Sequence, residues 1–102
     1  MTQVLTLKES ISIQAGSVVS REIIKNDGGT ITLFAFDKGQ GLSEHKTPYE
    51  AVAQIIEGRA QITVGGELYE VVEGQAILMP ANIPHSLNAS EPFKMILTML
   101  KA

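Results

Sequence analysis

The sequence predicts an all-β domain folded as a sandwich or closed barrel, and three observations predict it. From Val18 onward, short apolar or alternating segments recur between turn residues at intervals of roughly 8 to 12, the spacing of such folds. No long helix is visible. Three Phe, two Tyr and no Trp leave the core to Ile, Leu, Val, Ala and Met, whose β-branched members suit strands.

The elements follow in order. Strands are expected at Ser17–Ile24, Gly29–Phe36, Leu42–Lys46, Ala51–Glu57, Arg59–Val64, Glu67–Val72, Gln75–Met79, His85–Ala89 and Phe93–Leu100. Gly65 and Gly66 supply the positive φ of a two-residue hairpin between Gln61–Val64 and Glu67–Glu70. Asn26–Gly29 and Glu73–Gly74 read as further reversals. Residues 1–15 alternate less clearly and are expected to form an edge strand or a short arm, with residues 16–102 as the barrel of one domain. At 102 residues and 44% hydrophobic content, the chain has room for one core and not for two.

Composition narrows the function. Eight Lys and Arg against eleven Asp and Glu, with no basic cluster, give no footprint for phosphate backbones, so no nucleic acid partner is expected. The apolar runs fall far short of the roughly 20 residues that cross a bilayer, and the N-terminus does not read as a leader. No membrane partner and a cytoplasmic location are therefore expected. With no Cys, a metal would depend on His, carboxylate or amide ligands.

Two spaced sets carry the chemistry. Gly39, His45 and Gly58 stand with five and then twelve residues between them; sixteen residues after Gly58, Gly74, Pro80 and His85 follow at spacings of five and four. These resemble the two motifs of the cupin superfamily, G-x5-H-x-H-x(3,4)-E-x6-G and G-x5-P-x-G-x2-H-x3-N. The resemblance covers Gly39–Ala89 directly. It implies a double-stranded β-helix, or jelly-roll, barrel in which three His and one Glu hold a divalent metal inside.

Only part of that ligand set carries over. His45 matches the first His, and His85 the His of the second motif. Thr47 stands at the second His and Ala51 at the Glu. Asn82 replaces a Gly, tolerably, because Asn enters left-handed conformations more readily than most residues. Ala89 replaces the terminal Asn, with Asn88 adjacent. Strand alternation puts Thr47 on the face of His45, and Ala51 too if pairing is regular, with Glu50 pointing away. A Thr hydroxyl is a poor ligand for such metals, and a methyl group is none. Tight binding of Fe, Mn, Ni or Zn is not expected unless a bulge at Pro48–Tyr49 turns Glu50 inward.

Expected cavity residues are His45, Thr47, Tyr49 and His85; the metal candidates are His45 and His85, with Glu50 as the rescue. The plainer alternative is a His pair bonded to itself, Thr47 or water. Met79, Met95 and Met99 read as core filling, and Glu44 as a solvated strand-end residue. The leading expectation is a small cupin-fold protein binding a small molecule in its cavity, which leaves catalysis open. One alternative is a metal-dependent dioxygenase or isomerase using His45 and His85; the other is a metal-free sugar epimerase or isomerase with His as base. A homodimer is expected, because relatives commonly pair through their sheets and Val4–Leu7 and Lys94–Leu100 look like edges in need of cover.

Overall fold

The computed structural model describes residues 2–101; Met1 and Ala102, the limits of the expected domain, lie outside the described residues. Eight strands build it: β1 (Val18–Asn26), β2 (Gly29–Phe36), β3 (Gly41–His45), β4 (Glu50–Val64), β5 (Glu67–Val72), β6 (Ala76–Met79), β7 (His85–Asn88) and β8 (Phe93–Leu100). All their pairings are antiparallel, and they form two faces of a curled sheet. Face I runs β1-β2-β8-β4-β6 and face II runs β3-β7-β4-β5. This is the expected double-stranded β-helix.

The faces meet in β4. The two strands expected at Ala51–Glu57 and Arg59–Val64 are one, whose first half pairs with β6 and β8 and whose second half pairs with β5 and β7. An extra residue, Ile56, loosens the β4–β8 register just before Gly58. Gly58 has φ +80, and a Cβ there would run into the Pro92 carbonyl oxygen and Phe93. Its missing side chain lets the strand turn the corner from one face to the other.

The expected hairpin forms as read: Gly65 and Gly66 have φ of +59 and +82, and Val64 opposes Glu67. Between the faces, Phe36 and Phe93 stack with centroids 4.5 Å apart, packed among Ile55, Ile62 and Met95.

The N-terminal segment is an arm and not an edge strand. After a 3-10 turn at Leu7–Glu9, Ile11 and Ile13 pack on the outside of face I against Leu33, Ala35 and Ile96. Lys94 Nζ donates to the Lys8 carbonyl at 2.5 Å and pairs with Glu57 at 3.4 Å; Arg21 donates to the Ser10 carbonyl at 3.0 Å. The expectation that Lys94–Leu100 is an exposed edge is overturned, because β8 lies between β2 and β4 with both sides paired. No helix among the described residues is long and apolar enough to cross a membrane.

Candidate functional site

Several chain crossings put the site at one end of the barrel. β3 and β7 belong to face II, and Pro80–Pro84 and Lys46–Tyr49 carry the chain between that face and face I. The end of β3, the start of β7, the end of β6, the start of β4 and the end of β8 therefore share one mouth. Asn82, at φ +65, adopts the left-handed conformation expected of it. Its N–H donates to the Thr47 carbonyl at 2.7 Å, which ties the two crossing loops together.

His45 and His85 are Cα partners across β3 and β7, their rings 4.3 Å apart and inclined at 70°. This pairing depends on a bulge. Between Leu42, opposite Leu87, and His45, opposite His85, β3 advances three residues while β7 advances two. Strict alternation would put Leu42 and His45 on opposite faces. The extra residue at Ser43–Glu44 lets both line the same cavity.

Each ring is fixed from below. The Nδ1 of His45 lies 2.7 Å from the Ser43 carbonyl, and that of His85 3.2 Å from the Ile83 carbonyl. A carbonyl only accepts, so each Nδ1 carries a proton, and each ring in its neutral form presents an Nε2 lone pair. His85 is buried at 7% exposure, whereas His45 lies at the exposed rim. Desolvation is the main influence lowering the His85 pKa below its ordinary 6.5; the Ile83 carbonyl opposes the shift, and the charge of His45 adds to it.

The enclosed cavity is small, about 40 Å³. His45, Thr47 and His85 form its polar end; Leu42 and Leu87 wall it from face II, and Ala51, Leu97 and three methionines from face I. The Met residues read as core filling, Met79, Met95 and Met99, are thus also cavity wall. A larger groove of about 560 Å³ lies outside the barrel, between Leu5–Lys8 and β4. It contains no imidazole, and the two charged side chains in its lining, Lys8 and Glu73, are paired with each other at 3.1 Å, so the His-lined cavity is the stronger site.

Two expected site residues are elsewhere. Tyr49 does not line the cavity: Lys101 Nζ stands 5.8 Å over its ring, because the crossing loop breaks the alternation carried forward from His45. Glu50 is exposed and opposes Leu100 at the start of β4. No bulge turns it toward the histidines, and Glu44 is exposed as well. Thr47 reaches the cavity, but its hydroxyl exchanges hydrogen bonds with the Tyr49 backbone at 3.2 and 3.3 Å. Among the described residues no three His, Asp or Glu side chains converge. Two imidazoles without a carboxylate do not fit the divalent metal implied by the motif.

Comparison with known proteins agrees with this architecture. Residues 32–99 match the family model described as a cupin domain. A crystal structure of a conserved protein of unknown function from Streptococcus pyogenes superposes with a TM-score of 0.94 at 40% identity, covering 100% of this chain and 90% of that one. A cupin 2 conserved barrel domain protein from Leptotrichia buccalis gives 0.92 at 33% identity, over 95% of this chain and 47% of that one. An uncharacterised protein of Streptomyces coelicolor is 28% identical over 67 residues, 66% of this chain and 64% of that protein's length.

Proposed function

The chain belongs to the cupin family, and from that premise we propose that it is a small-molecule-binding cupin without the family's carboxylate-assisted metal chemistry. The observation that carries the reading is the shared Nδ1–H arrangement of His45 and His85: with both Nδ1–H groups committed to backbone carbonyls, two Nε2 acceptors head a cavity whose other polar side chain, Thr47, is engaged by the Tyr49 backbone. Such a site favours a small neutral molecule that donates a hydrogen bond from its polar end and packs an apolar end among Leu42, Leu87 and Leu97. At about 40 Å³, the enclosed part holds only the tip of an organic ligand; the rest would lie in the open mouth beside His45.

A metal-dependent oxygenase or isomerase lacks support, because Glu50 is exposed and outside the cavity lining, and no carboxylate converges on the pair among the described residues. A sugar epimerase acting on phosphate-linked sugars lacks it too, because among the described residues no Lys or Arg lines the cavity. A library of small alcohols, phenols and amides, screened by ligand-observed NMR, tests the proposal. Saturable binding that is lost in His45→Leu and His85→Leu is expected; binding unchanged in both variants, or no saturable binding of any probe, would refute it.

The proposal includes a homodimer. Its support is one register row on the outside of face I, Ile24–Ile31–Thr98–Val52–Leu78, each residue the Cα partner of the next across five strands. The N-terminal arm covers the neighbouring row at Leu33 and Ile96. In this row Ile24 stays 50% and Leu78 72% exposed.

A further inference from the structure

The position that lost its carboxylate has methionine on both sides. Ala51 stands where the family motif has Glu, and its Cα partners on the two flanking strands are Met79 of β6 and Met99 of β8. All three residues line the His-bearing cavity. Since both crossing loops lie at this end, Met79 and Met99 on face I look across the barrel at His45 and His85 on face II. Packed faces of this kind stand about 10 Å apart, a gap that a His and a Met side chain bridge between them.

The donors are neutral and soft. Imidazole is a borderline ligand and thioether a soft one, and together they select Cu(I) over hard or borderline divalent ions. The backbone carbonyls of Ser43 and Ile83 already hold the Nδ1–H groups, the outer hydrogen bonds that aim an imidazole Nε2 at a metal. Among the described residues no carboxylate side chain lines the cavity, so a monovalent ion leaves less charge uncompensated than a divalent one. A volume of about 40 Å³ suits an ion or a few waters better than a ring.

We infer that the barrel mouth is a Cu(I) site, with the Nε2 atoms of His45 and His85 and the Sδ atoms of Met79 and Met99 as its ligands. This goes beyond the small-molecule reading and shares with it the facing of the His pair into the cavity and the free Nε2 atoms that the Ser43 and Ile83 carbonyls leave. The loss of Glu and of one His from the family motif is then a change of metal class: thioethers beside Ala51 stand in for the hard ligand.

The test is anaerobic competition for Cu(I) against the chromophoric chelator bicinchoninate, on the full chain. Wild type is expected to withdraw one equivalent, and Met79→Leu/Met99→Leu to bind at least tenfold more weakly. Met-to-Leu exchange nearly conserves volume, so circular dichroism and Tm should show the variant folded. A second readout does not depend on the double variant. Ag(I), a redox-inert stand-in, should shift the ¹³C resonances of the Met79 and Met99 methyl groups in wild type. Failure to withdraw Cu(I), equal uptake by the folded double variant, or Ag(I) shifts confined to other methionines would overturn the inference. Binding of small alcohols or phenols without Cu(I) uptake would overturn it while leaving the small-molecule reading intact.

Discussion

His45 and His85 stand directly opposite each other on β3 and β7, ring centroids 4.3 Å apart, one at the rim and the other buried at 7% exposure. A proton on the inner ring therefore loses solvent and gains a neighbour of the same potential charge. Protonation is disfavoured at His85 for the first reason above all, and the carbonyl of Ile83 only partly offsets it.

Acid should therefore destabilise the fold through His85. Its folded-state pKa lies below the 6.5 of the free side chain, so the unfolded chain takes up the proton more readily. The contribution of the neutral ring is fully present above about pH 6.5 and is lost as the pH falls through the folded value. Urea unfolding at pH 7.5 and 5.5 should show a smaller acid loss in His85→Gln than in wild type. Equal losses would mean that the acid sensitivity comes from other groups.

The loop that presents His85 should respond to backbone conformation more than to side-chain chemistry. Asn82 holds φ +65, a region costly to β-branched residues and free to Gly. Asn82→Gly is expected to lie within about 0.5 kcal/mol of wild type, and Asn82→Val to lose about 1–3 kcal/mol. Denaturant midpoints measure both. A harmless Val would show that the loop relaxes to negative φ and does not hold His85 in place.

What the sequence made legible was local or tied to motif spacing. The Gly65–Gly66 hairpin and the left-handed Asn82 follow from φ requirements that only a few residues meet. The facing of His45 and His85 follows from anchors at fixed intervals. Long-range order was hidden: nothing within Phe93–Leu100 reveals that the last strand inserts between β2 and β4, so it resembled an edge. Gly58 looked like a break between strands because a corner and a turn call for the same residue. The bulge at Ser43–Glu44 has no composition of its own, and Tyr49 was misplaced because period-2 alternation does not survive a loop containing Pro48. Met79 and Met99 became site candidates only when strand pairing set them on either side of Ala51.

The uncovered row on face I makes dimerisation testable. A two-fold contact would place Ile24, Val52 and Leu78 of one copy against the same patch of the other. Sedimentation equilibrium should give twice the 11.0 kDa chain mass for wild type and the monomer mass for Leu78→Asp, whose charge would be buried without a partner. A monomeric wild type would refute the dimer.

The site can also be pushed back toward the family pattern. Thr47 and Ala51 occupy the second His and the Glu of the motif, and both already line the cavity with His45 and His85. Thr47→His/Ala51→Glu would therefore bring three imidazoles and one carboxylate to the same cavity. Zn²⁺ or Ni²⁺ should then bind stoichiometrically to the double variant and raise its Tm, with about 2.7 kcal/mol of added stability at a hundredfold excess over Kd. Wild type should bind neither tightly. Crowding of the introduced carboxylate between Met79 and Met99 works against the gain, costing about 1–3 kcal/mol, so the metal-free variant should be less stable than wild type and recover on loading. A folded variant that takes up no divalent metal would mean that the barrel geometry has diverged along with the ligands, since the four donors alone would then be insufficient.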